Sequence, residues 1–112
     1  MGLFDFLKGG SAKSKAMSFY KSGMAKAEKR NAVGAIADYD ESIKIVGVPP
    51  DVKAMAIYNR GVAYVAAGED EKGLQDLNTV IRMDGADKKV KEMASGKLKR
   101  MEKRRAVRSK DK

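Results

Sequence analysis

The sequence contains no cysteine and no histidine. These two absences exclude disulfide bonds, thiol nucleophiles, imidazole acid–base catalysis and zinc sites built from Cys and His ligands. Apolar runs are short as well, and none approaches the roughly 18–20 residues that a membrane-spanning helix needs. A small chain without disulfides is suited to a reducing compartment, so we expect a cytoplasmic protein.

Motifs for enzymatic chemistry are also lacking. The sequence has no glycine-rich phosphate-binding loop and no nucleophile motif. Its acidic residues are scattered, and Asp38 and Asp76 occupy the same position of the internal repeat described below. We interpret these two carboxylates as part of a solvated helix face rather than as a catalytic pair. We therefore expect a non-enzymatic protein with no cofactor, no metal and no small-molecule substrate.

Positive charge is concentrated near the C-terminus. The chain has 24 Lys and Arg residues against 15 Asp and Glu, and residues 97–112 hold nine of the former and two of the latter. Such a run either contacts the phosphates of nucleic acid or anionic lipid, or is a solvated helix end. It has no aromatic residue for base stacking, which argues against sequence-specific readout. The candidate basic patch is Lys97, Lys99, Arg100, Lys103, Arg104, Arg105 and Arg108.

The chain repeats itself at an offset of 38 residues, and nine positions are identical between the segments 12–50 and 51–85. A fixed offset of this size is typical of helical repeat proteins. The pairs are Lys15 and Lys53, Ala16 and Ala54, Met17 and Met55, Tyr20 and Tyr58, Gly23 and Gly61, Ala25 and Ala63, Asp38 and Asp76, Ile43 and Ile81, and Gly47 and Gly85.

Each unit reads as two helices, and no segment alternates as a strand would, so the predicted fold is all-α with about five helices. Asn31 is the predicted N-cap of the second helix and Asp51 that of the third, while Gly47 and the two prolines after it separate the units. The predicted organisation is a flexible N-terminal segment at 1–11 with an apolar cluster, repeats at 12–50 and 51–85, a basic capping helix at 86–107, and a disordered tail at 108–112. The apolar cluster consists of Leu3, Phe4, Phe6 and Leu7.

The second unit resembles a tetratricopeptide repeat. Small and large residues fall at the family's spacings of three, four, five, four and three: Gly61, Tyr64, Gly68, Gly73, Leu77 and Val80. The first unit matches at Gly23, Ala35, Tyr39 and Ser42, whereas Lys26 and Arg30 replace an aromatic residue and a glycine. The resemblance covers about residues 16–85 and implies antiparallel helix pairs stacked as a short right-handed solenoid.

Two glycines, Gly23 and Gly61, lie inside predicted helices, where a glycine costs roughly 1 kcal/mol relative to alanine. Both recur at the repeat offset. A missing side chain lets two helix backbones approach closely. We therefore interpret both glycines as points where the first helix of each pair meets its partner.

The resemblance also implies a function, since tetratricopeptide arrays generally bind peptides or partner helices on the face formed by their first helices. The corresponding groove residues are Met17, Tyr20, Met24, Met55, Tyr58, Asn59, Val62 and Val65. They either bind an apolar partner segment or are covered by the last helix. Asn59 either hydrogen-bonds a ligand backbone or only solvates its helix.

The leading hypothesis is therefore an interaction module, an adaptor or scaffold that binds a protein or peptide partner. Because at least three repeats are usually needed for stability, self-association is also predicted. The alternative is a basic accessory protein that binds nucleic acid or an anionic membrane surface through residues 97–112.

Overall fold

The computed structural model describes residues 11–110, and within them the fold is all-α, as predicted. Five helices follow one another: α1 (Ala12–Glu28), α2 (Ala32–Lys44), α3 (Pro50–Ala66), α4 (Asp70–Arg82) and α5 (Lys88–Lys110). None of these helices has the length and apolar character required to cross a lipid bilayer. The predicted apolar cluster at the N-terminus and the last two residues of the tail lie outside the described residues.

The 38-residue offset recurs in the helix boundaries. The first helices α1, α3 and α5 begin at residues 12, 50 and 88, and the second helices α2 and α4 begin at 32 and 70. The last helix therefore opens a third unit in register with the first two. Its buried residues agree with this register, since Val90, Ala94 and Met101 are 38 residues after the buried Val52, Ala56 and Ala63.

Helix ends follow capping rules, with two differences from the predicted boundaries. The Asn31 side chain accepts a hydrogen bond from the Gly34 amide, as expected of an N-cap. Helix α3 begins at Pro50, with Pro49 as its N-cap, so the prediction of Asp51 as the cap is wrong. Proline suits the first helical position because its φ is already helical and it lacks an N–H that would need a partner. Helix α5 continues to Lys110, so residues 108–110 are helical rather than part of a disordered tail.

The connections within and between units are also equivalent. Gly47 and Gly85 end the two units with φ values of 89° and 81°. Gly68 joins the two helices of the second unit at a φ of 85°, and Arg30, its equivalent in the first unit, has a φ of 63°. Glycine adopts this left-handed region without steric cost, whereas an arginine is sterically strained there. The first unit thus makes the same turn with an unfavourable residue.

The helices pack in sequence order, and the first helices also contact one another, so that α3 lies between α1 and α5. Two buried clusters form the core. Residues of α3 enter both, with Ala54 and Ile57 in one and Ala56 and Ala63 in the other. The first cluster also contains Leu77, Val80, Val90, Ala94 and Met101, and the second also contains Tyr20, Ala35 and Tyr39. Helix α3 therefore joins the two halves of the molecule, which measures 62 × 29 × 17 Å.

Gly23 and Gly61 both lie at close approaches between the helices of a pair. A Cβ atom on Gly61 would stand 2.9 Å from the Cβ of Asp76, and one on Gly73 would stand 2.9 Å from the Gly61 carbonyl oxygen. Helices α3 and α4 therefore cross where each has a glycine. In the first unit a Cβ on Gly23 would stand 2.6 Å from the ring of Tyr39, which is buried.

We expect Gly61→Leu to lower the free energy of unfolding by about 3 kcal/mol, because the added side chain has no space against α4. The matched control is Gly96→Leu, at a helix-interior glycine whose added Cβ would meet only the end of the Arg100 side chain, at 3.4 Å. The control should be neutral or stabilising, since leucine is the better helix former. Urea denaturation followed by circular dichroism measures both, and equal effects would contradict the close crossing.

We expect Arg30→Gly to raise the free energy of unfolding by about 0.5–1 kcal/mol, since it removes the left-handed strain and adds only the backbone entropy of glycine. The reverse change at the equivalent position, Gly68→Ala, should destabilise by about 1 kcal/mol. Thermal melts of the two variants should shift in opposite directions. A lower melting temperature for Arg30→Gly would contradict the equivalence of the two turns.

Candidate functional site

The predicted groove residues lie on α1 and α3, and α5 carries an equivalent stripe that was not predicted. Residues spaced alternately by three and four lie on the same side of a helix. The stripes are Met17, Tyr20 and Met24 on α1; Met55, Tyr58, Val62 and Val65 on α3; and Met93, Gly96, Arg100, Lys103 and Val107 on α5. We call these three stripes together the methionine face, because Met17, Met55 and Met93 occupy one position in each.

The methionine face exposes several large apolar side chains. Met24, Met55 and Met93 have exposed fractions of 39%, 37% and 44%, and Met17 and Val62 are partly buried. Methionine has a flexible, polarisable side chain that adapts to apolar partners of different shapes. The exposed methionines Met24, Met55 and Met93 can therefore form an adaptable contact surface.

Tyr20 and Asn59 have structural roles on this face. Tyr20 is buried, with its ring centroid 5.9 Å from that of Tyr39. The Asn59 side-chain amide donates to the Tyr20 hydroxyl at 2.9 Å and to the Met55 carbonyl oxygen at 3.0 Å. Because both N–H donors of this amide are engaged within the protein, Asn59 ties α3 to α1. Neither of the two roles considered for Asn59, ligand binding or solvation, describes these bonds.

The environment of the two tyrosines agrees with their burial. Burial raises the pKa of the Tyr20 hydroxyl, and the hydrogen bond from Asn59 acts in the opposite direction. The pKa of Tyr39 is raised to about 12, mainly by burial and further by the proximity of Tyr20 and Asp38. Both rings are therefore neutral supports beneath the methionine face at physiological pH.

The last helix covers part of the predicted groove. Tyr58 and Val65 pack against the core cluster to which α5 contributes Val90, Ala94 and Met101. The exposed methionines of the preceding stripes remain uncovered. The Tyr58–Val65 side of this surface is therefore partly buried, whereas Met24, Met55 and Met93 are exposed.

The C-terminal half of α5 borders an open cleft of about 680 Å³, which we call the basic cleft. Its lining residues are Lys97, Arg100, Lys103, Arg104, Val107 and Arg108. Burial lowers the pKa of Lys97, and the neighbouring charges of Arg104 and Arg100 lower it further, while Asp70 acts in the opposite direction. The cleft therefore gathers cations that repel one another.

Two members of the predicted basic patch hold α5 against α4. Arg105 forms an ion pair with Glu71, and Arg108 lies 3.7 Å from a carboxylate oxygen of Asp70. Both acids lie in the first turn of α4, where the helix dipole also favours negative charge. Of the predicted patch, Lys99 and Arg105 are outside the lining of the basic cleft, and the other five residues are within it.

The two repeated aspartates have partners, and for Asp76 the prediction of a solvated helix face is wrong. Asp76 is only 6% exposed and accepts two hydrogen bonds of 2.8 Å from Arg60. Asp38 accepts from the Ser22 hydroxyl at 2.6 Å, which is the main cause of its lowered pKa. Ser22 and Arg60 are themselves 38 residues apart, so each unit bonds its aspartate from the residue before the packing glycine.

Arg60 also reaches the other unit, since it donates to Asp40 of α2 at 2.9 Å. These hydrogen bonds raise its pKa above the ordinary value, so the guanidinium stays charged.

Sequence reasoning missed Arg60, because an arginine on a helix is most often solvated. It also missed Met93, Gly96 and Val107, although Lys15, Lys53 and Lys91 recur at the same offset as the three methionines.

We expect Arg60→Met to lower the free energy of unfolding by about 2 kcal/mol, because it leaves the buried Asp76 carboxylate without its partner. Arg82→Met is the matched control at an exposed site on α4 and should change stability by less than about 0.5 kcal/mol. Chemical denaturation measures both variants. Similar small effects for the two would contradict the bridging role of Arg60.

Within residues 11–110, no group of three or more acidic side chains is arranged to hold a metal ion. Comparison of the chain with protein-family models, with curated proteins and with solved structures found no match.

Proposed function

We propose that this chain is a non-enzymatic interaction module of the tetratricopeptide type, and that its methionine face binds a segment of a partner protein. The observation that carries this proposal is the row of Met17, Met55 and Met93, repeated every 38 residues and exposed on α3 and α5. A helical repeat that presents one side-chain type at regular intervals offers an extended binding surface rather than an enclosed pocket.

Burial and exposure on the first helices support the same proposal. One side of each helix is committed to the core, as at Ala16, Ala54 and Ala94, which are fully buried. The methionine stripe lies beside these positions and keeps a large part of its apolar area in contact with water. Grouped apolar side chains on a soluble surface are typical of interaction sites, whereas singly exposed ones are common everywhere.

The supports beneath the face are rigid. Tyr20 is fixed by its contact with Tyr39 and by the hydrogen bond from Asn59, and Asn59 is fixed in turn by the Met55 carbonyl. A partner would therefore contact flexible methionine side chains whose backbone is held in place by these contacts. Such a combination limits the entropy lost on binding while still allowing the surface to adapt.

We expect Met55→Glu combined with Met93→Glu to abolish partner binding, since the new charges would have to be buried against an apolar segment. The control is Val33→Glu combined with Val46→Glu, at residues that are 76% and 93% exposed and lie outside the methionine face. Both double variants change the net charge equally, and circular dichroism checks that each is folded.

Binding is measured by placing a photo-crosslinking amino acid at Met55, Met93 or Val33 of the intact chain in living cells. Protein adducts at the two methionine positions, and their loss when the other methionine carries Glu, are the expected results. Adducts of equal yield at Val33, or insensitivity of the adducts to the Glu substitutions, would overturn the proposed function.

A further inference from the structure

The methionine face changes character along the row of helices. The α3 stripe is apolar at Val62 and Val65, whereas the equivalent positions on α5 are Arg100 and Lys103. In the α1 stripe the residue equivalent to Arg100 is Met24. The same register thus carries apolar side chains on two helices and cations on the third, so the face is apolar at one side and basic at the other.

The basic side of the face is the basic cleft. Among the residues that the structure describes, its lining contains five cationic side chains and no carboxylate. Among residues 11–110, Arg108 is the one cleft residue that forms an ion pair, with Asp70, while acids pair with neither Lys97, Arg100, Lys103 nor Arg104. Carboxylates entering the cleft would relieve the repulsion among these cations, and arginine binds a carboxylate through two parallel hydrogen bonds.

The basic cleft also has apolar surface, which comes from Val107 and from the aliphatic parts of its Lys and Arg side chains. Val107 is 56% exposed and lies in the same stripe as Met93, 14 residues away, a distance of about 21 Å along a helix. Lysine and arginine cover apolar surface with their methylene groups while the charged ends remain outside. The α5 stripe therefore offers apolar and cationic contacts together over about four helical turns.

A membrane surface fits this arrangement poorly. An amphipathic helix enters a bilayer interface with its apolar face. The buried residues of α5, Val90, Ala94 and Met101, belong to the core of the protein and cannot serve that purpose. Nucleic acid fits poorly too, because the lining within residues 11–110 has no aromatic side chain on which bases would stack.

We infer that the partner segment bound by the methionine face is acidic and amphipathic, with apolar side chains on the methionine row and Asp or Glu side chains in the basic cleft. This inference rests on the proposed function and adds the chemical class of the partner. Binding should weaken as salt is added, since the carboxylates meet partly exposed cations.

The test begins with a phage library of random 16-residue peptides selected on the intact chain. The affinities of labelled synthetic copies are then measured by fluorescence anisotropy at low and high salt. The cleft variant is Arg100→Glu with Arg104→Glu, and its control of equal net charge is Lys13→Glu with Lys29→Glu, at exposed residues of the α1 region. The Met55→Glu and Met93→Glu variant reports on the methionine row.

We expect the selected peptides to be enriched in Asp or Glu together with apolar residues. The cleft variant and the methionine variant should each weaken their binding at least tenfold, and the Lys13 and Lys29 control should weaken it less than threefold. Replacing Glu by Gln in a selected peptide should cost as much as the cleft variant, which identifies the carboxylates as the groups that occupy the cleft.

Selected peptides that are neutral, need the methionine row and tolerate the cleft variant would overturn this inference while leaving the proposed function intact. Peptides that ignore the methionine row would overturn both. A 16-nucleotide single strand and phosphatidylserine vesicles are titrated in parallel. If either one binds more tightly than every selected peptide, and loses that binding in the cleft variant, the partner of the basic cleft is a nucleic acid or a membrane rather than an acidic segment.

Discussion

The close crossing of α3 and α4 is the constraint on which the rest of the structure depends. Gly61 and Gly73 allow the two backbones to meet, and beside them Arg60 bonds Asp76 within the unit and Asp40 in the preceding one. Helix α3 also contributes to both core clusters. One helix therefore fixes the distance between the helices of its own pair and the position of its unit relative to the first.

The repeated scaffold separates stability from recognition. Ala56 and its equivalent Ala94 are both fully buried and unchanged between units, because close packing tolerates little change in volume. Positions on the methionine face are partly solvated, so they differ between units without disturbing the core. Val62 on α3 and Arg100 on α5 therefore occupy the same position of the repeat, yet one makes the face apolar and the other makes it cationic.

Helix α5 is attached to the molecule in two different ways. It is buried at Val90, Ala94 and Met101, whereas every described residue after Met101 is exposed. Beyond that point the helix is held to α4 by the ion pairs of Arg105 and Arg108. Exposed ion pairs contribute about 0–1 kcal/mol each. The part of α5 that carries most of the basic cleft is therefore the part least constrained by the core.

The sequence by itself determined the helical class, the 38-residue repeat and most helix boundaries, because these follow from local periodicity, glycine and proline placement and capping. It did not reveal that α5 continues the repeat, since the Tyr and Gly of the first two units are Gly96 and Lys99 in the third. Only the tertiary structure decided burial: Phe19 is 38% exposed and its equivalent Ile57 is 6% exposed, although both occupy the same position of the repeat. The physical reason is that burial depends on which helix lies alongside, and α3 has described neighbours on both sides whereas α1 opens the described row.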